Sequence, residues 1–484
     1  MSEQMTDAII LLLPQIILVI GGILVMLLEP FTSTARKSQL ARLAVLTTIV
    51  AAFSLMPQWD MPSRTILNGM LIVDNFTVFF QWLFLIIGGV CAFLSMRFNE
   101  RESINRGEYY ALLLFAVCGM SLMAASGDLI LTFLGIEILS IATYILAGFK
   151  RNDLRSNESS LKYFLLGSFA TAILLYGIAL IYGGAGSTSY QTIRQLAMLQ
   201  GSIQATTLIG LALLLVGFGF KVALVPFHSW APDVYEGAPT PVTAFMAVGP
   251  KAAGFAALLR VLMQAFPFLV QDWSSILWLL SILTMTLGNV VAVLQTNVKR
   301  MLAYSAIAHA GYILIGIVAA TRDGISAVLF YLIIYTVMNL LAFGIILSFS
   351  RSGDRNVFLN DYAGLARKAP FAAAALSLAL ISLAGIPLTG GFMGKFYLFS
   401  AAVQKDLIGL AIIGVLNSVV SVFYYFRVMI YMYMKDPAED APAPEDMSWP
   451  VKAIIALGTA CILFLGLFPA PILALAARSA FALK

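Results

Sequence analysis

Histidine occurs twice and cysteine three times in 484 residues, and only 11% of positions carry Asp, Glu, Lys or Arg. A charge content this low lies far below the roughly 25% of soluble globular domains and excludes that class. Cys91, Cys118 and Cys461 lie singly in apolar runs, with no CxxC and no metal spacing, so they read as small buried hydrophobes and predict no disulfide framework. There is no GxGxxG leading a strand, no Walker loop and no cysteine set for an iron–sulfur cluster, and two histidines cannot ligate paired haems across a bundle. Bond-making and redox chemistry are therefore not expected in this chain, and neither is self-sufficient ATP-driven pumping.

What the chain has instead is apolar sequence. Hydrophobic residues make up 61% of it, in runs that approach or exceed the about 20 residues needed to cross a hydrocarbon core as helix. The strict alternation and turn spacing of an outer-membrane barrel are missing. The fold class expected is an all-α integral membrane protein of about fourteen transmembrane helices, one polytopic domain over 1–484. The first apolar run is long and lacks a positive n-region, so it reads as a retained span and not a cleaved signal. The net charge of +5 resides in short connections, where topology accounts for it, and no nucleic-acid partner is inferred.

Lysine and arginine concentrate in the odd-numbered connections, for example Arg97, Arg101 and Arg106, then Lys150, Arg151 and Arg155, then Lys299 and Arg300, then Arg351, Arg355, Arg367 and Lys368. Those connections are expected on the cytoplasmic side and both termini on the periplasmic side. The connection HSWAPDVYEGAPTP fits neither side by charge, and its prolines and glycines predict little helix, so it reads as a packed re-entrant or capping segment. The stretch KDPAEDAPAPEDMSW suits a solvated loop or a docking surface.

A weak internal symmetry relates 109–265 to 273–434, each a block of five spans. An odd number of spans per block makes the two run oppositely through the membrane, which is the geometry of an inverted repeat. Each block holds one interrupted span with a lysine: GFGFKVALVPFHSW, with Lys221, and LAGIPLTGGFMGKFY, with Lys395. Interrupted spans at matching positions point to an ion site.

Glu137, Lys221, Lys251 and Lys395 fall inside predicted spans. Each costs at least about 2.5–3.5 kcal/mol at mid-bilayer, so each is expected to point inward and to be paired or hydrated. Lys162 and Arg260 lie near span ends and are expected to snorkel. A poorly hydrated site disfavours an ammonium and a nearby carboxylate restores it, so moving the partner makes a lysine release or take up a proton. Lys221 with Glu137 is a candidate pair, and a helix opened beside Pro226 offers free carbonyls and room for water. His309, in YSAIAHAGY, and His228, beyond Pro226, are candidate relay groups because imidazole titrates near neutrality. Buried ion pairs that only fix helix packing, or histidines satisfied by one backbone bond, are the structural alternative.

The run KVALVPFHSWAPDVYEGAPTPVTAF with Lys251, FLGIEILS around Glu137, GNVVAVLQTNVKRMLAYSAIAHAGY, and LAGIPLTGGFMGKFYLF around Lys395 together resemble the antiporter-like membrane subunits of respiratory complex I. The likeness is greatest to the branch called subunit N, the bacterial counterpart of mitochondrial ND-two. It implies a fourteen-helix subunit with two inverted five-helix repeats and broken helices 7 and 12, one proton-translocating unit of a proton-pumping NADH:quinone oxidoreductase in the bacterial inner membrane. It further implies that Glu137 and Lys221 form a charge pair, that Lys251 connects two half-channels and Lys395 faces the outlet, with Lys162 and His309 on the polar axis. NAD, FMN, iron–sulfur clusters and quinone are implied on other subunits, and the expected partners are the other membrane-arm subunits, the peripheral redox arm and the lipid bilayer. Two other functions compete: a subunit of a multi-chain cation/proton antiporter, and a passive scaffold. The scaffold needs no charges at mid-membrane and accounts for them worst.

Overall fold

The structure, a computed structural model, describes residues 3–33, 36–200, 204–350, 353–354, 357–437 and 447–483. Most of the acidic, proline-rich stretch, together with Arg351 and Arg355, lies outside them. The helices in chain order are α1 (Glu3–Leu11), α2 (Leu13–Leu28), α3 (Ser38–Leu55), α4 (Asn75–Arg101), α5 (Gly107–Ala125), α6 (Leu129–Ala147), α7 (Leu154–Ala185), α8 (Tyr190–Gln200), α9 (Ala205–Lys221), α10 (Trp230–Gly237), α11 (Thr240–Arg260), α12 (Val270–Leu294), α13 (Val298–Ala319), α14 (Arg322–Phe349), α15 (Leu365–Lys368), α16 (Pro370–Ala384), α17 (Gly390–Gln404), α18 (Ile408–Met434), α19 (Trp449–Leu467) and α20 (Ala470–Phe481). Among the described residues twelve helices are long and apolar enough to cross a membrane, and Ala205–Lys221, Pro370–Ala384 and Ala470–Phe481 are shorter apolar helices. The protein is an all-α, multi-pass membrane protein.

Several boundaries differ from expectation for local reasons. The last long apolar run ends as α19 at Leu467, because Pro469 and Pro471 interrupt it and α20 starts afresh. The segment expected to have little helix contains α10, whose Pro232 stands in the first turn, where its missing N–H breaks no helical bond. The second connection holds an antiparallel hairpin, β1 (Arg64–Ile66) with β2 (Leu71–Val73), closed through Leu67 and Asn68 at positive φ. No strand signal was visible there.

The chain forms two compact units. The first comprises Met1–Val222, Gly249–Trp273 and Arg478–Lys484. In it α7 packs on α9, and α5 on α6. These crossings are close because glycines face each other: a Cβ on Gly177 would meet the Gly210 carbonyl oxygen at 2.8 Å, and one on Gly135 would meet that of Gly119 at 3.0 Å. On α6 the outward stripe is Leu134, Ile138, Ile141 and Ile145, while Thr132, Ser140 and Thr143 are buried. An apolar face outside and hydroxyls inside is the pattern a lipid-facing helix needs. Asp74, Asp128 and Asp153 cap α4, α6 and α7 through backbone N–H groups.

Arg260 belongs to this unit and is fully buried instead of snorkelling. Its guanidinium makes a bidentate pair with Asp74 at 2.6 and 2.8 Å, donates to Thr77 Oγ1 at 2.7 Å and the Ala124 carbonyl at 3.1 Å, and lies over the Phe76 ring at 4.7 Å. The cation ends α11 and the anion caps α4, so each charge also opposes a helix dipole of the favourable sign.

The second unit comprises Ala223–Val248 and Ser274–Ala477. Its interior is α13, buried along almost its whole length and packed by α10, α14, α17 and α18. Asn297 and Thr321 cap α13 and α14. The 223–248 segment, within the first repeat expected from the sequence, packs within this unit.

Candidate functional site

In the first unit the polar centre is built around the end of α9. That helix has 17 residues, about 25 Å at 1.5 Å per residue, short of the about 30 Å hydrocarbon core. It stops at Lys221, and Ala223 at φ 59 and Pro226 keep the chain from continuing as helix. Lys221 is 6% exposed and donates to Ser140 Oγ of α6 at 2.9 Å. Glu137, one turn earlier on α6, acts on this ammonium through space, but the two do not touch, and Glu137 Oε1 is buried without a hydrogen-bond partner. The carboxylate expected as the direct partner is thus a second, longer-range influence, and a serine takes the contact.

Lys251 is buried on α11 immediately after Pro250. One turn on, Gly254 leaves room for Val222 beside the end of α9: a Cβ there would lie 2.6 Å from Val222 Cγ1, and at an ordinary 3.5 Å from Lys221 Cγ. Glu137, Lys221 and Lys251 therefore all belong to the first unit, with α11 passing beside the end of α9. Lys162 does not join them through its visible ion pair. It binds Glu158 at 2.6 Å with 43% of its side chain exposed.

In the second unit the break falls between α16 and α17. Gly385 at φ 84 ends α16, Leu388 at φ 72 turns the chain, and α17 begins at Gly390. A Cβ on Gly391 would lie 1.8 Å from the Ser382 carbonyl oxygen, so only glycine lets the two half-helices overlap this closely. Lys395 reaches back across the break. Its ammonium donates to the Ala384 carbonyl at 2.9 Å and to Ser418 Oγ of α18 at 2.6 Å, and stands 4.7 Å over the Tyr312 ring. The carbonyl is one that an unbroken helix would have used internally.

His309 on α13 is 1% exposed, with Nδ1 at 2.6 Å from Tyr331 Oη and Nε2 at 3.1 Å from Tyr425 Oη. His228 is only partly buried in the turn before α10; its Nδ1 is buried without a partner. The structure therefore brings His309 into a buried network with Tyr331 and Tyr425, and shows no contact of His228 with it among the described residues.

Sequence reasoning missed the neutral groups that hold these ions: Ser140, Ser418, Tyr331 and Tyr425. Ser140 lies in the FLGIEILS stretch three residues from Glu137, which on a helix places both on adjoining faces. That spacing was a usable signal; the others depend on which helices meet. Also missed was a clasp at the start of α13. Lys299 donates to Asp354 at 3.0 Å and to the Ala238 carbonyl at 2.8 Å, Asp354 accepts from the backbone N–H and hydroxyl of Thr240, and Arg300 pairs with Asp233 and Glu236. Burial opposes the Asp354 charge, but Lys299 and the hydrogen bonds from Thr240, Lys299 and Ser350 outweigh it and hold the carboxyl below its ordinary value. Among the described residues no group of three or more His, Cys, Asp or Glu is placed to hold a metal ion.

The membrane family model described as NADH:quinone oxidoreductase/Mrp antiporter matches residues 126–421, which include Glu137, Lys162, Lys221, His228, Lys251, His309 and Lys395. NADH-quinone oxidoreductase subunit N of Trichlorobacter lovleyi is 47% identical over 474 residues, covering 97% of this chain and 96% of that protein. A chain in the structure of respiratory complex I from Thermus thermophilus with bound Aureothin is 35% identical, with a TM-score of 0.82 over 96% of this chain and 99% of that one. A chain of the Mrp complex from Dietzia sp. DQ12-45-1b shares the fold at a TM-score of 0.86 and 22% identity, over 100% of this chain and 98% of that one. The family model spans redox and antiporter branches alike, and full-length identity separates them. The chain belongs to the subunit N family of NADH-quinone oxidoreductase, the antiporter-like proton-pumping membrane subunits of that complex.

Proposed function

We propose that this chain carries protons across the bacterial inner membrane by changes of protonation at Glu137, Lys221 and Lys251 in the first unit and at His309 and Lys395 in the second, driven by quinone reduction on other subunits. The observation that carries the reading is the chemistry of the two lysines at the helix breaks. Lys221 and Lys395 are buried, and the contacts that hold them are serine hydroxyls and a helix-end carbonyl in place of a touching carboxylate. A permanent structural cation in the membrane is normally paired closely, as Arg260 is with Asp74. An ammonium held only by neutral groups keeps the option of becoming neutral, because a hydroxyl and a carbonyl tolerate the uncharged amine at little cost.

The chain itself supplies no redox step in this reading. NAD, FMN, iron–sulfur clusters and quinone belong to the peripheral arm and its junction with the membrane arm. Moving one proton against the membrane potential takes about 2.3 kcal/mol per 100 mV, and that work comes from the electron-transfer subunits. Both termini face the periplasm, the arginine- and lysine-rich connections face the cytoplasm, and the exposed apolar stripes such as that of α6 meet lipid or neighbouring membrane-arm subunits. Lys162 and His228 are further candidates for the same proton path.

The test is the proton-to-electron ratio of the assembled complex in proteoliposomes. Lys221→Ala and Lys395→Ala should each lower it while the complex still assembles and reduces quinone. A Lys221→Ala enzyme that pumped at the full ratio would end this reading.

A further inference from the structure

In the first unit the α4–α5 and α6–α7 connections come together and line a pocket of about 730 Å³ that takes no part in the proton path. Its charged lining is Glu102, Arg106, Lys150, Arg151, Asp153 and Arg155. Both carboxylates are already answered. Lys150 stands 3.0 Å from Glu102 Oε2 and 3.4 Å from Asp153 Oδ2, and Arg101 approaches Glu102 at 3.4 Å. Arg106, Arg151 and Arg155 are exposed and form no ion pair among the described residues. The loop that presents two of them is held in place: Asn157 Nδ2 donates to the Arg151 carbonyl at 2.9 Å, the Arg155 backbone N–H to Asp153 Oδ1 at 3.0 Å, and Ser156 Oγ to the Ala147 carbonyl at 2.7 Å. Three guanidiniums around one pocket, without carboxylates of their own, suit a phosphate, whose oxygens match their paired N–H groups.

What carries that phosphate follows from the helix that leaves the pocket. With 32 residues, α7 is about 48 Å long at 1.5 Å per residue, against a hydrocarbon core of about 30 Å. Its first turns therefore stand among the headgroups while the rest crosses. Leu154, in the wall of the pocket, is 85% exposed. Leu161 and Leu165, seven and eleven residues on, fall on the same side of the helix and are exposed too. Glu158, the carboxylate on that side, is paired with Lys162 at 2.6 Å. An apolar track thus runs from the arginines toward the membrane interior. A free phosphate gains nothing from it, whereas a phosphate that ends two acyl chains does.

We propose that this pocket binds the headgroup of an anionic phospholipid, with Arg106, Arg151 and Arg155 on its phosphate and an acyl chain along Leu154, Leu161 and Leu165 of α7. Unpaired arginines at the membrane surface attract anionic lipid in proportion to their number, and a shaped pocket turns that attraction into a fixed site. Bound there, the lipid ties the α4–α5 connection to the start of α7 at the end of α6, the helix that carries Glu137 and Ser140.

The experiment places the whole complex in nanodiscs of equal parts phosphatidylglycerol and phosphatidylcholine, with one of the two carrying a photoreactive diazirine on its acyl chain. After illumination, labelled peptides around Leu161 and Leu165 are quantified against those of the exposed face of α18, Ile412 and Val415, which reports bulk lipid. Phosphatidylglycerol should label the α7 face several-fold more than phosphatidylcholine does, relative to α18. The triple variant Arg106→Gln, Arg151→Gln, Arg155→Gln should bring the two lipids level. If that variant assembles poorly, Arg151→Gln alone, at an exposed loop position, should lower the preference severalfold. Excess inorganic phosphate, with sodium chloride at matched ionic strength as control, should leave the preference in place. Equal labelling by the two lipids in the wild type, or a preference unchanged by the arginine substitutions, overturns the site. A preference abolished by inorganic phosphate and kept in sodium chloride makes the occupant a free anion and overturns the lipid.

Discussion

The Arg260–Asp74 pair allows the sharpest stability prediction, because both side chains are buried and every contact is resolved. Four hydrogen bonds fix the guanidinium, two of them to the carboxylate. Removing the carboxylate alone leaves a desolvated cation with only a hydroxyl and a carbonyl, and breaking such a pair costs about 3–5 kcal/mol. Asp74 also accepts from Thr77 N at 2.8 Å as the cap of α4, which adds about 1 kcal/mol. Asp74→Ala should therefore lose about 4–6 kcal/mol of local stability by the sum of these effects. A double variant, Asp74→Asn with Arg260→Met, removes the charge but keeps a capping side chain, and should recover most of the loss. The assay is the thermal midpoint and the assembled fraction of the detergent-solubilised complex, followed by size-exclusion chromatography. The double variant must lie well above Asp74→Ala. If the two fall together, or if Asp74→Ala is indistinguishable from wild type, the pair does not carry the energy assigned to it.

Three further outcomes follow from contacts. Ser140→Ala removes the only direct acceptor of the Lys221 ammonium among the described residues, a loss of about 1.5–3 kcal/mol for a bond to a charged group, and should lower the proton-to-electron ratio without blocking assembly. Gly391→Ala places a methyl 1.8 Å from the Ser382 oxygen, beyond the about 1–3 kcal/mol of ordinary overpacking, and should prevent assembly, as read on a native gel. The Asp354 clasp has a pH sign. The folded carboxyl lies below its ordinary value, so its contribution is fully present above about pH 4 and is lost as pH falls through the lower folded value. At neutral pH Asp354→Asn should mimic that loss and speed amide exchange at Thr240, whose N–H donates to Asp354 at 3.1 Å, by roughly tenfold to a hundredfold for about 1.5–3 kcal/mol.

The sequence carried the parts of this fold that depend on local chemistry. Apolar run lengths, the lysines inside them and the prolines and glycines beside them were enough to locate both breaks and the polar residues around them. What it withheld depends on which helices meet. Arg260 read as a snorkelling cation because it stands near a helix end, and its partner lies 186 positions away. Lys221 drew attention to the nearest carboxylate in an apolar run, whereas the contact went to the hydroxyl of Ser140, a residue type too common to single out. The hairpin at 64–73 and the helix at Trp230–Gly237 were missed because each is held by tertiary packing more than by its own propensity.

The two broken helices reach one chemical solution by different routes. Lys221 is itself the last residue of α9, so it sits at the negative end of that helix dipole. Lys395 is in the second turn of α17, where the dipole is unfavourable, but it reaches back to the Ala384 carbonyl, the last of α16. The Lys221 residue therefore ends one half-helix and the Lys395 ammonium rests on the end of another, and each ammonium donates to one serine from a neighbour. If that arrangement served only to hold a positive charge, arginine would serve as well or better, since its guanidinium is less strongly hydrated and offers more donors. If it serves to let the charge come and go, arginine must fail, because a guanidinium does not deprotonate in a protein. Lys221→Arg separates the two. The variant should assemble, with a thermal midpoint near wild type, and yet lose proton translocation to the same extent as Lys221→Ala. Pumping preserved in Lys221→Arg and lost in Lys221→Ala would show that Lys221 is needed for its charge alone, and the proton path would have to run elsewhere.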